Sequence, residues 1–223
     1  MVGPKRTFEA VMPDPITTEV VGSTLLAVAE EMGENLVRCS FSTNVKERRD
    51  CSAAILDLDG GTIAQASHIP LHMGSMLGLV RTILQRYPRS DIRPGDIFIT
   101  NDPYSGGGTH LPDVTVAAPF FVQGSLIGFV ANAAHHAELG GSPSQTLDIY
   151  TEGLRIPLVR LYQGGKVCQE IMDFILLNCR LPDERLADLR AQAASLEMGL
   201  QRLEELADRF RLDTLLACLK RLE

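Results

Sequence analysis

The sequence predicts an α+β fold: a mixed or antiparallel β-sheet core built from hairpins, with an N-terminal helix and long C-terminal helices packed on it. Three observations carry that expectation. Apolar residues recur at helical spacing early in the chain, short apolar runs are punctuated by Asp-Gly-Gly and Gln-Gly through the middle, and leucines return at three- and four-residue steps near the end. A chain of 223 residues that is 45% hydrophobic can bury a sizeable core.

Residues 1–13 mix Gly, Pro and charge and read as a flexible arm. Asp14-Pro15 is a helix start, an acid at the N-cap followed by Pro at the first helical position. Ile16, Val20, Leu25, Val28, Met32 and Leu36 extend the helix to about Arg38, and the polar stretch 40–50 reads as a solvated loop. Residues 51–58 and 62–67 flank Asp59-Gly60-Gly61 as a hairpin, whose open end sets Asp50 opposite the segment carrying His68 and Ile69. The following segment reads as a loop entering a helix over 77–87, in whose first turn Gly74 and Ser75 could offer N–H groups to an anion. Residues 96–100 form a short buried strand, and 156–162 a strand placed at an edge by Pro157. Helix follows over 167–179, breaks at Leu181-Pro182, and resumes near Asp183. There Leu186, Leu189, Ala193, Leu196, Leu200, Leu203, Leu206 and Phe210 make one stripe, leaving Leu215, Leu216 and Leu219 for a subunit interface or a further region. By composition the chain divides into the arm, a core over 14–165 and a helical segment over 166–223.

The stretch 101–141 is where chemistry gathers. Three successive glycines, 106–108, lose backbone entropy and bury no side chain, so something must reward that loop. His110 and Asp113 follow at once. Two apolar runs, 114–122 and 126–132, joined by Gln123-Gly124, then form a second hairpin that delivers His135 and His136. With residues 122 and 125 flanking the turn, Asp113 faces Ala134 and Pro112 faces His135; a bulge at Pro119 would slip the register by one and exchange the roles of His135 and His136. Either register gathers one carboxylate and up to three imidazoles, donors that suit Zn, Mn or Fe(II) and leave positions open for water or substrate. All five histidines lie between 68 and 136, which places the metal-binding function in the 14–165 core.

Composition excludes several classes. A net charge of -7 without a basic stripe argues against nucleic acid. No apolar run reaches the ~18 residues of a membrane helix and no signal-peptide pattern opens the chain, so it reads as cytoplasmic. The five cysteines form no C-x-x-C and read as reduced core residues.

Seven segments then carry a resemblance: D-P-I-T-x-E-V (14–20), N-V-K-E-R-R-D-C-S (44–52), H-I-P-L-H-M-G-S-M (68–76), R-P-G-D-I-F-I-T-N-D-P-Y (93–104), G-G-T-H-L-P-D (107–113), A-N-A-A-H-H-A-E-L-G-G (131–141) and E-G-L-R-I-P (152–157). Nearly the whole chain resembles the N-terminal part of the hydantoinase B family, which includes the C-terminal half of 5-oxoprolinase and a subunit of acetone and acetophenone carboxylases. The resemblance implies an ATP-dependent hydrolase of cyclic amides such as hydantoin, 5-oxoproline or a lactam, working as a hetero-oligomer. Its partners would be a hydantoinase A-like ATP-binding subunit and, where the chain is one part of a split subunit rather than a fragment or a shortened paralogue, a separate chain supplying the remaining length. It implies a divalent metal on His110, Asp113 and His135, with Asp50 as a further ligand, His136 as a catalytic or substrate-contacting group, and His68 and His72 lining the cavity.

Such a chain needs its partner for ATP, because it carries no G-x-x-x-x-G-K-[ST]. Phosphorylation of the amide oxygen on the partner makes the carbonyl a better electrophile, the metal lowers the pKa of a bound water that attacks it, and His136 or Asp50 takes the proton. Three other readings stand beside this one: a subunit of an ATP-dependent ketone carboxylase, a non-catalytic assembly module using the leucine stripe, and a metal hydrolase acting without ATP.

Overall fold

The computed structural model describes residues 13–66, 69, 72, 74, 76–141, 148–210 and 212–222. The arm, apart from residue 13, lies outside the described residues, as do His68 and Ser75 with the roles expected of them. Helix α1 (Pro15–Cys39) starts where the sequence places it, with the Asp14 carboxylate accepting from Thr17 N at 3.0 Å. Its buried face runs Val21, Leu25, Val28, Met32, Leu36, whereas Ile16 is 76% exposed and Val20 48%. The predicted stripe is therefore out of phase in its first turns: four residues back from Leu25 is Val21.

Residues 40–50 are more than a solvated loop. They fold into the short helix α2 (Thr43–Lys46), bury Val45, and donate two backbone N–H groups, from Phe41 (2.7 Å) and Ser42 (3.1 Å), to Asp188 Oδ1. That buried carboxylate, 146 residues away in sequence, supplies the partner that local pattern could not reveal.

The two hairpins are strands β1 (Cys51–Asp57) with β2 (Thr62–Gln65), and β4 (Asp113–Val122) with β5 (Ser125–His135). Strands β3 (Ile97–Thr100), β6 (Val159–Gln163) and β7 (Lys166–Val167) complete a seven-stranded sheet of order β2-β1-β5-β4-β3-β6-β7. Among the described residues every strand pairing is antiparallel. The expected edge strand is interior: β6 begins past Pro157 and pairs with β3 on one side and the two-residue β7 on the other. Helix α3 (Leu79–Arg86) starts two residues later than expected, after Gly78 at φ +91°.

Both faces of the sheet are covered, which is why its strands read as continuous apolar runs rather than alternating ones. Ala54, Leu56, Ala117, Phe129 and Ala131 pack against Leu79, Val80 and Ile83 of α3. Ile55, Val114, Val116 and Val130 face α1 and the C-terminal helices α5 (Gln169–Leu177), α6 (Pro182–Arg209) and α7 (Leu212–Leu222), α4 (Ile149–Glu152) being a single turn before β6. Leu215 and Leu219 are buried in that same core and Leu216 is exposed, so two of the three leucines held over for an interface are used within the fold. Each such burial stabilises by about 1.5–3 kcal/mol. Cys51 and Cys218 are buried, Cys39 is exposed, and all five thiols are free.

Candidate metal centre

The hairpin register decides which histidine meets the acid. Near the turn Val122 pairs with Ser125 and Phe121 with Leu126, but from Phe120↔Gly128 onward the pairing has slipped by one, leaving Ile127 as the extra residue. The slip arises beside Phe120, and Pro119 itself pairs with Phe129. Asp113 consequently stands directly opposite His135. Alternation along β5 then sends His135 to the α3 side, in phase with Phe129, Ala131 and Ala133, and His136 to the α6 side, in phase with Asn132.

On the α3 side the side chains converge. His135 Nδ1 lies 3.0 Å from Asp113 Oδ1 and 3.1 Å from His110 Nε2, and His110 Nε2 lies 3.3 Å from Asp113 Oδ1. One donor atom from each of the three residues falls within 4.8 Å of the others. Asp50 reaches the group because β1 pairs with β5: His135 N donates to Asp50 O at 3.0 Å, and Asp50 Oδ2 sits 3.9 Å from His135 Nδ1. His72, whose side chain is 3% exposed, places Nε2 3.5 Å from both Asp50 Oδ1 and Asp113 Oδ1.

Asp113 is buried, which alone would push its carboxyl pKa up. Hydrogen bonds with His110, His135, His72 and Thr109 prevail and hold it well below the usual carboxylate range. The same contact with Asp113 raises the His110 pKa, burial opposing and Glu152 assisting. A buried carboxylate kept ionised amid imidazole nitrogens is a donor set able to hold a divalent cation.

Two supports of this geometry have no signal in the local sequence. Glu152 Oε1 lies 2.9 Å from His110 Nδ1, and Glu152 Oε2 accepts from Leu111 N at 3.3 Å. Glu152 belongs to the E-G-L-R-I-P segment, which carries part of the family resemblance and the start of the 156–162 strand but in which the sequence gives Glu152 no partner. The N-D of N-D-P-Y explains how that segment arrives. Asn101 Nδ2 donates to Leu111 O (2.7 Å) and Leu154 O (2.8 Å), its Oδ1 accepts from Ile156 N (2.6 Å), and Asp102 pairs with Arg155 at 2.9 Å. The glycine triplet is rewarded by close backbone approach: a Cβ on Gly107 would stand 2.6 Å from the Thr100 side chain, and one on Gly108 2.5 Å from Asp113 O.

His136 is placed differently from the other predicted residues. It is fully buried and its Nε2 lies 3.0 Å from Gln192 Oε1. Gln192 Nε2 donates to Val114 O (2.9 Å) and Asn132 Oδ1 (3.1 Å), so Oε1 must accept and His136 carries its proton on Nε2. Burial, then the Arg185 charge, lowers its pKa to about 4.

The family profile of hydantoinase B/oxoprolinase matches residues 14–223. The chain belongs to the hydantoinase B/oxoprolinase family. Among its relatives, the uncharacterized protein MJ0963 of Methanocaldococcus jannaschii is 43% identical over 204 residues, 88% of this chain and 36% of that protein. A putative D-/L-hydantoinase subunit of a Pseudomonas species is 35% identical over 213 residues, 92% of this chain and 36% of that one. The crystal structure of the ATP-dependent caprolactamase from Pseudomonas jessenii superposes with a TM-score of 0.85 at 32% identity, over 94% of this chain and 37% of that chain. This hydantoinase B/oxoprolinase chain thus spans little more than a third of the length of these relatives. Among its described residues no helix is long and apolar enough to cross a membrane.

Proposed function

We propose that this chain holds a divalent cation within a larger enzyme that opens a cyclic amide in an ATP-dependent reaction. The observation that carries the reading is the meeting of His110 Nε2, Asp113 Oδ1 and His135 Nδ1 at the open end of the β4–β5 hairpin, bordered by Asp50. The donors suit Zn, Mn or Fe(II). A cation bound there would supply Lewis acidity and acidify a water.

The chain's own residues do the positioning. Asp113 contributes buried negative charge, and Glu152 holds His110 by Nδ1 so that Nε2 faces the cluster. Asp50, partly exposed at the rim, is the group set to take a proton from water. His136, enclosed behind the sheet, steadies the strand that carries His135. ATP would enter through a hydantoinase A-like partner, and phosphorylation there would make the amide carbonyl the better electrophile. The working assembly is then a hetero-oligomer in which a hydantoinase A-like chain is the ATP-binding partner.

The test is to co-express the chain with an adjacent hydantoinase A-like subunit and assay ATP hydrolysis with 5-oxoproline, hydantoin or caprolactam, against a ketone with bicarbonate. Amide opening that is lost in Asp113→Asn supports the reading. ATP turnover only with ketone and bicarbonate, or turnover indifferent to Asp113, contradicts it.

A further inference from the structure

Helix α6 lays a leucine stripe against the sheet, and within that stripe stands an amide. Gln192 is fully buried, as are Asn132 and His136, while its helix neighbours Leu189, Ala193 and Leu196 join the apolar core. An apolar side chain at 192 would bury surface without a polar group to satisfy. Gln192 instead commits both amide hydrogens and the amide oxygen along the seam between β4 and β5. Its Nε2 donates to Val114 O in β4 at 2.9 Å and to Asn132 Oδ1 in β5 at 3.1 Å, and its Oε1 lies 3.0 Å from His136 Nε2. Its backbone O accepts from Asn132 Nδ2 at 2.9 Å.

The position of these contacts along the hairpin is informative. Asp113↔His135 is the last rung of the β4–β5 ladder, at the open end, and strand ends are where local opening is cheapest. Val114 directly follows Asp113 and His136 directly follows His135, so Gln192 grips the chain one residue from each, on the sheet face opposite the cluster. Ser195, equally buried on the same helix, donates to Met32 O of α1 at 2.8 Å instead.

We infer that Gln192 is a positioning residue of the metal centre, a staple across the open end of the β4–β5 hairpin that keeps Asp113 opposed to His135. The inference rests on the metal reading above and goes beyond it by making the centre depend on the helical segment 166–223, although the proposed ligands all lie in the 14–165 core. Metal–ligand distances tolerate only about 0.2 Å, so a loosened last rung is felt at the ion.

The experiment compares Gln192→Met with Ser195→Ala in the full chain, by calorimetric titration with Zn2+ alone and with Mn2+ alone, urea unfolding, and amide hydrogen exchange followed by NMR. Gln192→Met is expected to bind metal about tenfold or more weakly and to exchange the His136 N–H, which donates to Pro112 O at 2.8 Å, faster than the unaltered chain does. Ser195→Ala is expected to lose stability while keeping metal affinity and His136 exchange. If the methionine variant does not fold, Gln192→Glu serves: it keeps the size and an acceptor for His136 but offers Val114 O no donor. Unchanged affinity in a folded Gln192 variant while His135→Ala fails to bind, or an equal loss of affinity in Ser195→Ala, overturns the staple and leaves the metal reading standing. An unaltered chain that takes up neither metal overturns both.

Discussion

Replacing Gly108 by Ala sets a methyl group against the backbone that carries two of the proposed ligands. Gly108 has φ +147°, and the added Cβ would lie 2.5 Å from Asp113 O, 3.2 Å from His110 O and 3.3 Å from Asp113 Cβ. Ordinary contact begins at 3.4 Å, so something must give by roughly 0.9 Å. Asp113 is pinned by its pairing with His135, and the displacement falls on residues 108–112, which include His110. Metal–ligand distances tolerate only about 0.2 Å. Forcing an alanine into this backbone region costs about 1–3 kcal/mol before the clash is counted. Gly124→Ala is the control: it too has positive φ (+78°) but nothing within 4 Å, so it carries strain alone, about 1–2 kcal/mol. Urea unfolding and equilibrium dialysis with a divalent metal read the two terms separately. Gly108→Ala is expected to lose more stability than Gly124→Ala and to bind metal at least about tenfold more weakly, whereas Gly124→Ala keeps its affinity. Wild-type metal affinity in Gly108→Ala, or a stability loss no larger than the control's, would refute the reasoning.

Glu152→Ala removes the acceptor from His110 Nδ1 and should weaken metal binding by about 10–100-fold while the circular dichroism spectrum is unchanged; isothermal titration with the metal checks it. Leu215→Ala should cost about 2–5 kcal/mol in urea unfolding, because Leu215 is 1% exposed in the core, whereas Leu216→Ala, at 41% exposure, should stay within about 0.5 kcal/mol. His136 binds its proton more weakly folded (about 4) than unfolded (6.5). Its contribution is therefore fully present above pH 6.5 and is lost as pH falls toward 4. NMR titration of its ring in the folded chain should show it neutral at pH 5.5, and a protonated ring at that pH would contradict the placement.

What the sequence could carry was local chemistry. Asp14-Pro15 is a capping signal that needs no tertiary partner, and Asp59-Gly60-Gly61 and Gln123-Gly124 are turns whose backbone requirements are written in their residue types. The meeting of Asp113 and His135 follows from hairpin arithmetic to within one residue. The one-residue slip is the one a bulge at Pro119 would have made, but the extra residue is Ile127 on the partner strand, an apolar residue in an apolar run. The supports lie further off. Glu152 meets a ring 42 residues away through a loop fixed by Asn101, and His72 arrives from the segment between β2 and α3. Buried polar residues of α6, such as Asp188 and Gln192, sit on the helix face that bears the leucine stripe, and their partners, the Phe41 and Ser42 N–H groups for Asp188 and the sheet residues Val114 and Asn132 for Gln192, are distant in sequence.

The most direct test is metal content by mass spectrometry after saturation of the purified chain with a divalent metal and removal of unbound ion. One tightly held ion per chain, absent from Asp113→Asn with its fold intact, is the predicted result. No retained metal in the unaltered chain, or full occupancy in Asp113→Asn, would contradict the account.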